Sequence, residues 1–350
     1  MTVKEIAKLA GVSRGTVDRV INKRGQVSRE KLEKISSIIE KHKFTPNLIA
    51  RRLKSSKTYN FCAMIPRQDQ DSGYWKQAII GIQEEAKELS PLGINTKIIE
   101  FDHYNQPEFQ KTAKSILNKN PDGIIFPPYY PEKQKPFIKH LNKTEIPYVF
   151  IDSDLPGAKP VCSIYQDPIK GGYLAGRIMH LLTGSINCQV AVLDNPMSYH
   201  MSRRKDGFMG YFNNRKSIIT FRRTTRSNVG SIIMGDIGNF LQSHRNLAGI
   251  FITYVGVNSV AEAAEKLRKK KPFFIIGYDL VPANYKLLKE GKIDAIISQR
   301  PQEQGRQALI SLYKHVVLES DINPVIEMPL DVYFRENLPD ENSLELPIVL

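Results

Sequence analysis

The chain has 350 residues, of which 41% are hydrophobic, so it can fill two or three folded domains. Its net charge of +14 is uneven, because residues 1–60 hold 15 Lys and Arg against 5 Asp and Glu. The nearly neutral remainder argues against a chain that coats nucleic acid along its whole length. The three scattered cysteines exclude a disulfide scaffold, and we expect all three to be buried small apolar residues. No segment approaches about 18 uninterrupted apolar residues. We therefore expect a cytoplasmic protein that is not a membrane protein.

The first twenty residues predict two short helices. Apolar residues recur at helical spacing on both sides of residues 11–13, and Ser13 stands at the N-cap of the second helix. We expect Leu9 to face inward, and Arg14 and Arg19 to face solvent. This pattern is a helix-turn-helix, whose second helix enters the major groove of DNA. The alternative, a plain pair of small helices, fits less well because the basic charge is concentrated here.

A third helix and a short fourth one follow. Ser28 predicts the cap of a helix that ends near His42, with Leu32 on its apolar face. Proline at the first helical position then predicts a helix over residues 46–54. So short a helix is marginal alone, and it therefore needs a partner surface.

From residue 60 onward, short apolar runs alternate with amphipathic segments. Such alternation predicts parallel sheets that are covered by helices on both faces, and the count of about five strands in each half predicts two doubly wound lobes. The predicted strands are 61–65, 96–101, 123–126, 148–151, 161–164, 189–193, 249–253, 273–277 and 295–298, and the predicted helices include 75–89, 108–118, 169–182, 229–243, 257–269 and 302–318.

The patterns predict three parts: an all-α helix-turn-helix DNA-binding headpiece at 1–45, a short helix and linker at 46–58, and a two-lobed α/β domain at 59–350. The expected first lobe covers about 59–163 and 300–323. The expected second lobe covers about 164–299 and 324–350.

The chain resembles the lactose-repressor (LacI/GalR) family of transcription factors. The resemblance implies that residues 46–58 form the family's hinge helix and linker. It also implies that residues 59–350 form its effector domain, a ligand-binding and dimerisation domain with two lobes that is similar to type I periplasmic binding proteins. It is carried by Ile6–Ser13, Thr16-Val17, Arg19–Asn22, Val27-Ser28 and Pro46-Asn47 with Ala50 and Leu53, and it continues through Gly73-Tyr74-Trp75, Asp152, Arg204, Gly277-Tyr278-Asp279, Ser298-Gln299 and Tyr333–Leu338.

The resemblance implies that the chain binds palindromic double-stranded operator DNA as a homodimer. Arg14, Gly15 and Arg19 would face base edges, with Arg19 reading a guanine. The phosphate contacts that fix register would come from Ser13, Thr16, Asn22 and Ser28. In the hinge helix, Asn47 and Ala50 would approach the minor groove and Leu53 would wedge between base pairs.

The sequence departs from the family pattern at two positions in the second helix. Gly15 has no side chain where members often place a base-reading residue, so discrimination would rest more on the two arginines. Asp18 stands where a small hydroxyl is usual. We interpret it as a partner that orients Arg14 or Arg19; repulsion of phosphate and contact with a cytosine amino group are the alternatives.

By resemblance to sugar-binding members, the effector domain would hold a small molecule at the carboxyl ends of its strands. Aromatic side chains would stack on a sugar ring, and polar side chains would bind its hydroxyls. Tyr254 departs from the Asn or Asp that is common in sugar binders, so a nucleoside, a purine or a phosphorylated sugar stays an alternative to a monosaccharide or its derivative. The candidate ligand residues are Tyr74, Trp75, Asp152, Arg204, Tyr254, Asp279 and Gln299.

Several other classes compete with a ligand-controlled regulator, which is more often a repressor in this family. An enzyme lacks support, because the chain has no phosphate-binding glycine loop, no nucleophile elbow and no metal-spaced cluster among seven histidines. We expect no cofactor. His103 and His200 lie near predicted strand ends and could contact the ligand, although an unpaired histidine in a loop is usually only solvated. A sugar-transport protein would need an export signal, and a family member that is controlled by a protein co-regulator is the last alternative.

Overall fold

The computed structural model describes residues 3–21, 27–42, 57–129, 131–184, 188–194, 199–213, 218–224, 239–240, 243–244, 247–254, 256–268 and 273–340. The chain divides into two compact units, Met1–Lys57 and Thr58–Leu350. The hinge prediction at 46–58 lies almost entirely outside the described residues. Each unit is considered by itself below.

The described part of the N-terminal unit forms the helices α1 (Val3–Ala10), α2 (Arg14–Ile21) and α3 (Arg29–Lys41). Gly11 has φ +68°, a left-handed conformation that suits glycine and turns the chain between α1 and α2. The helix-turn-helix geometry is therefore confirmed. The small core consists of Ile6, Ala7, Ala10, Val17 and Ile35.

Two inward-facing predictions for this unit are wrong. Leu9 is 56% exposed and Leu32 is 44% exposed. In α1 the buried stripe runs through Ile6, Ala7 and Ala10, and a helical step of 100° per residue places Leu9 outside that stripe.

The first lobe of the second unit is a six-stranded parallel sheet with the order β11-β5-β4-β3-β1-β2. Apolar side chains fill its central strands, which are buried because helices cover the sheet. Its strands are β1 (Tyr59–Pro66), β2 (Ile94–Phe101), β3 (Gly123–Phe126), β4 (Tyr148–Ile151), β5 (Cys162–Tyr165) and β11 (Val325–Glu327); its helices are α4 (Tyr74–Leu89), α5 (Gln106–Leu117), α6 (Pro131–Thr144) and α11 (Pro301–Leu312).

The second lobe is another six-stranded sheet, with the order β12-β10-β9-β8-β6-β7. All its strands are parallel except β12, which runs antiparallel to β10. Its strands are β6 (Cys188–Asp194), β7 (Ile218–Thr224), β8 (Leu247–Ile252), β9 (Phe274–Tyr278), β10 (Ala295–Ser298) and β12 (Asp331–Tyr333); its helices are α7 (Pro168–Thr183), α8 (Tyr199–Phe212), α9 (Val257–Arg268) and α10 (Pro282–Lys289).

The sheets correct the expected lobe boundaries by a few residues. Residues 162–164 of β5 pair with β4 and Tyr165 pairs with β11, so the first lobe continues past residue 163. β11 pairs in parallel with β5, so residues 325–327 belong to the first lobe and not to the second. The chain therefore crosses between lobes near residues 166–167, 299–300 and 328–330.

The apolar patterns did not predict every helix and strand, and the prediction that all three cysteines are buried is wrong for one of them. They did not predict α6, α10, β7, β11 or β12, and the predicted helix over 229–243 lies mostly outside the described residues. Cys62 and Cys162 are buried as expected, whereas Cys188 is partly exposed. None of the helices in the described ranges has both the length and the apolar character that a bilayer crossing requires.

Candidate functional site

The first candidate site is the exposed start of α2. The Ser13 hydroxyl accepts a hydrogen bond from the backbone N–H of Thr16 at 3.2 Å, so Ser13 caps the helix as predicted. Arg14, Gly15 and Arg19 are exposed on the same short helix. The structure thus exposes two arginines on α2, one in its first turn and one in its last.

The other predicted DNA-binding residues have a less complete description. Ser28 occupies the predicted N-cap position of α3, although its hydroxyl forms no capping hydrogen bond. Ser28 is exposed, which leaves its hydroxyl open to a phosphate. The side chain of Asp18 is not described, and the predicted contacts of Asn22, Asn47, Ala50 and Leu53 lie outside the described residues.

The second candidate site lies where strands of both lobes end. Tyr74 and Trp75 begin α4 after β1, and Asp152 directly follows β4. From the second lobe, Asp279 directly follows β9 and Gln299 directly follows β10. Carboxyl ends of parallel strands meet at one edge of a sheet, so the predicted placement of these residues agrees with the structure.

Arg204 reaches this edge from the second turn of α8. The helices α7 and α8 approach so closely that a Cβ atom at Gly172 would overlap the carbonyl oxygen of Arg204. A Cβ at Gly207 would likewise overlap the carbonyl oxygen of Ile169. These two glycines therefore let α8 pack tightly enough to bring Arg204 to the strand ends.

Asp152 joins the two lobes. Its Oδ1 accepts a hydrogen bond from the Tyr74 hydroxyl at 2.7 Å, and its Oδ2 lies 3.6 Å from Nε2 of His200 on α8. Its backbone N–H donates to Oε1 of Gln304 at 2.7 Å. Asp152 is 4% exposed, so these contacts replace water around the carboxylate.

A second chain of hydrogen bonds centres on Arg204, which is 2% exposed. Its guanidinium donates to the Thr253 carbonyl oxygen at 3.1 Å and to Oε1 of Gln299 at 2.5 Å. Gln299 in turn donates from Nε2 to Oδ1 of Asp279 at 2.8 Å. The guanidinium carbon also lies 3.7 Å from the centre of the Tyr278 ring, a cation–π contact.

Sequence reasoning missed the group that holds Trp75. Nε1 of Trp75 donates to Oδ2 of Asp71 at 2.7 Å, and Nε2 of His103 lies 3.2 Å from the same oxygen. The Tyr104 hydroxyl donates to Oδ1 of Asp71. Asp71 has φ +53°, a left-handed conformation that no apolar pattern indicates.

His103 and His200 are 3% and 4% exposed, so the expectation that they are solvated is wrong. Both rings pack near the ring of Tyr129, with centroid distances of 4.5 and 6.2 Å. Tyr254 is also buried, in the same apolar cluster as Tyr74 and Trp75. We call the polar set of the second site the cleft network; it consists of Asp71, Tyr74, Trp75, His103, Asp152, His200, Arg204, Asp279, Gln299 and Gln304.

Burial dominates the electrostatics of the cleft network. Burial raises the pKa of Asp152 to about 6 and that of Asp279 to about 7, although the nearby Arg204 charge opposes both shifts. Burial, assisted by Arg204, lowers the pKa of His200 well below 6.5, so its imidazole is neutral. At Asp71 burial acts upward, but His103, Tyr104 and Trp75 outweigh it and lower the pKa.

Two protein-family models match the chain. A model of bacterial regulatory proteins of the lacI family matches residues 2–47. A model of the periplasmic binding protein domain matches residues 62–319, which is most of the chain. The matches follow the two compact units of the structure.

Individual relatives agree with the family models. The Ribose operon repressor of Lactococcus lactis subsp. lactis is 27% identical over 346 residues, which is 96% of this chain and 98% of that protein. The HTH-type transcriptional regulator DegA of Bacillus subtilis is 29% identical over 206 residues, or 58% of each chain. The similarity to the repressor therefore spans both units, whereas the match to DegA spans just over half of that protein.

Solved structures share the fold of the second unit. A Bacteroides fragilis protein assigned as a LacI transcriptional regulator has a TM-score of 0.72 at 27% identity, covering 80% of this chain and 98% of that one. GanP, a glucose-galactose binding protein from Geobacillus stearothermophilus, has a TM-score of 0.74 at 24% identity, covering 81% and 100%. At that identity the second likeness concerns the fold alone.

Proposed function

Because the chain belongs to the lacI family of bacterial regulatory proteins and is a DNA-binding transcriptional regulator, we propose that it is a repressor controlled by a sugar-like effector. The effector binds between the two lobes and changes the affinity for operator DNA. The observation that carries this proposal is the cleft network, in which Asp152 of the first lobe meets His200 of the second. A molecule that binds these groups contacts both lobes and changes how they close.

A sugar or sugar derivative is the effector class that the network supports best. Carboxylates, an arginine and amides around buried aromatic rings are the groups that bind hydroxyls and stack on sugar rings. The relative that matches almost the full chain is a ribose operon repressor. The candidate contacts are Tyr74, Trp75, Asp152, Arg204, Tyr254, Asp279 and Gln299.

The DNA contacts belong to the same proposal. Arg14 and Arg19 would read base edges in the major groove, because both are exposed on α2. Ser13, Thr16 and Ser28 would bind phosphates, together with Asn22. The hinge residues Asn47, Ala50 and Leu53 would enter the minor groove when two copies meet on a palindromic operator. Gly15 would allow close approach of α2 to the bases.

Effector binding controls DNA binding because the effector site and the DNA-binding site are thermodynamically linked. An effector that favours one degree of lobe closure changes the arrangement of the paired hinges, and this changes operator affinity. The coupling is reciprocal, with a typical size of about 1–3 kcal/mol. DNA-bound protein must therefore bind the effector with an affinity changed by the same factor.

The test uses Arg204→Ala in the full chain. An operator is first selected from random DNA, and sugars are then screened by the fluorescence of Trp75, the single tryptophan. Because hydrogen bonds to charged groups contribute about 1.5–3 kcal/mol each, Arg204→Ala should weaken effector binding by more than about tenfold. Operator affinity without effector should stay unchanged.

The matched control is Arg177→Ala, which removes an exposed arginine from α7 of the same lobe. This variant should respond to the effector like the unaltered protein. A full effector response in Arg204→Ala would contradict the cleft assignment. Failure to select any operator would contradict the DNA-binding role.

A further inference from the structure

The turn that leads into α4 has an unusual backbone. Asp71, Ser72 and Gly73 follow one another with left-handed φ angles of +53°, +56° and +88°. Glycine adopts such angles freely and aspartate tolerates them, but two consecutive residues with side chains make this turn unfavourable by itself. Contacts from the rest of the domain must therefore hold the turn. Tyr74 and Trp75 come next as the first residues of α4, so the turn determines where both aromatic rings lie.

The segment that follows β2 supplies contacts of this kind. The side-chain amide of Gln70 donates to Oδ1 of Asp102 at 2.6 Å and accepts from the backbone N–H of His103 at 3.2 Å. The Tyr104 hydroxyl donates to Oδ1 of Asp71, and Nε2 of His103 lies 3.2 Å from Oδ2 of the same aspartate. Side chains on both segments thus tie the turn to the end of the neighbouring strand.

Asp71 also fixes the indole of Trp75. Its Oδ2 accepts a hydrogen bond from Nε1 of Trp75 at 2.7 Å. Asp71 is 7% exposed and Trp75 is 1% exposed, so water does not compete for this bond. The ring of Tyr74 lies nearly perpendicular to the indole, with the ring centroids 5.0 Å apart. Because the indole N–H is already used, Trp75 can offer a ligand only its apolar ring surface.

The second lobe reaches the same turn. The helix α10, which begins at Pro282, lies against residues 71–73. Leu280 and Val281, which precede this helix, are buried in the same apolar cluster as Trp75. A shift of the turn would therefore disturb both the indole and the surface on which the second lobe closes.

We propose that Asp71 is a positioning residue of the effector site, which holds the left-handed turn and fixes the indole of Trp75 before the effector binds. This inference rests on the proposed function, in which Trp75 contacts the effector. The oxygens of Asp71 are occupied by Trp75, His103 and Tyr104, so Asp71 acts through Trp75 and not by touching the effector. A ring surface that is already ordered avoids the cost of ordering it during binding, and this increases affinity.

The test combines the fluorescence of Trp75, the single tryptophan, with calorimetric titration of the full-length protein by D-ribose, D-glucose and D-galactose. Asp71→Gly removes the carboxylate while the left-handed backbone stays allowed, so it isolates the loss of the hydrogen bonds. Acrylamide should quench Trp75 more strongly in this variant, because the indole has lost the partner that fixes it. Affinity for any sugar that binds the unaltered protein should fall by about tenfold or more.

Asp71→Asn is the conservative variant that separates positioning from a general effect on folding. Its amide oxygen can accept from Trp75, and its NH2 group can donate to the Tyr104 hydroxyl, which is also an acceptor. Asparagine tolerates the left-handed backbone as well. We expect this variant to keep the weak quenching and most of the sugar affinity. If it loses as much affinity as Asp71→Gly, the hydrogen bonds of Asp71 do not act by positioning.

Asp69→Gly is the matched control, because it makes the same exchange at an exposed residue of the same loop. Its quenching and its sugar affinity should equal those of the unaltered protein. Tyr104→Phe removes one donor from the carboxylate of Asp71. It should increase quenching when Asp71 is present and add nothing to Asp71→Gly, because interactions that act through one residue are not additive.

Two results would overturn the inference. One is unchanged quenching of Trp75 in Asp71→Gly, and the other is unchanged sugar affinity in a variant whose quenching has increased. If no sugar binds the unaltered protein or alters its operator affinity, the proposed function fails. The quenching comparison needs no ligand, so it still decides whether Asp71 positions Trp75.

Discussion

At the scale of single residues, Asp152 is a carboxyl group whose burial opposes its ionisation. Burial raises the pKa of its carboxyl to about 6, and the Arg204 charge and the Tyr74 hydrogen bond only partly oppose that shift. The unfolded chain would release the same proton near the ordinary value of 3.8. The folded state therefore binds more protons between about pH 4 and 6, and stability must fall as the pH rises through this window.

Asp152→Asn should remove this loss of stability at higher pH. The amide cannot ionise, so the variant should be more stable than the unaltered protein at pH 7.5, by up to about 3 kcal/mol for a shift of two pKa units. Below about pH 4 the two proteins should have similar stability. Urea unfolding without effector, followed by Trp75 fluorescence across this pH range, measures the difference.

The control is Asp69→Asn. This variant changes the net charge as much as Asp152→Asn does, but it removes an exposed carboxylate and not a buried one. Its unfolding curve should keep the pH dependence of the unaltered protein. If the stability of Asp152→Asn falls with rising pH as steeply as that of the unaltered protein, Asp152 does not cause the pH dependence.

At the scale of elements, α2 is a helix whose two sides have separate roles. Val17 is buried against the small core of the headpiece, whereas Arg14 and Arg19 are exposed. The Ser13 cap defines where the helix begins and hence which side chains share its outer surface. An eight-residue helix is unstable alone, so α1 and α3 hold it in place.

Arg19→Ala should therefore change sequence preference and leave the headpiece folded. Loss of a bidentate contact to guanine should cost about 1–3 kcal/mol at one base pair in each half-site. Electrophoretic mobility shifts with single-base variants of the selected operator measure this preference. Arg29→Ala, on the exposed start of α3, should leave base preference unchanged, and an equal loss on all DNA sequences would exclude base reading by Arg19.

At the scale of the whole effector domain, Gln166 ties the three crossings together. It lies on the first crossing, and its Nε2 donates to the Ser298 carbonyl oxygen at 2.9 Å and to the Pro329 carbonyl oxygen at 2.8 Å. These oxygens belong to the second and third crossings, and Gln166 is 2% exposed. One buried amide thus connects the three crossings, which are the segments about which the two lobes would move relative to each other.

Gln166→Leu should weaken communication between effector and DNA. Two carbonyl oxygens would lose their donor, which destabilises the domain by about 1–3 kcal/mol. We expect effector binding to persist while its influence on operator affinity falls, because lobe closure is no longer tied to the crossings. Operator titrations with and without effector measure this coupling.

Gln307→Leu is the matched control, because that amide donates to Glu303 within the same helix, α11, and not to a crossing. Its coupling should equal that of the unaltered protein. If Gln166→Leu retains full coupling at a temperature where it is folded, Gln166 does not link the crossings in function.

Much of this architecture could be predicted because local patterns carry it. Runs such as residues 123–126 are wholly apolar, and parallel strands buried on both faces require that pattern. The helix-turn-helix is likewise local, since a cap and a left-handed glycine lie within a few residues of each other. Asp152, Asp279 and Gln299 were identifiable because they directly follow strands.

The amino-acid sequence by itself determined the two folded units, the basic headpiece and the strand ends that carry polar side chains. Only the tertiary structure decided that β11 returns to the first sheet, because pairing between distant strands leaves no local signal. It alone brought Asp71 to Trp75 and His103, and His200 to Asp152. Burial depends on every neighbour at once, so the raised pKa of Asp152 became visible only when both lobes were in place.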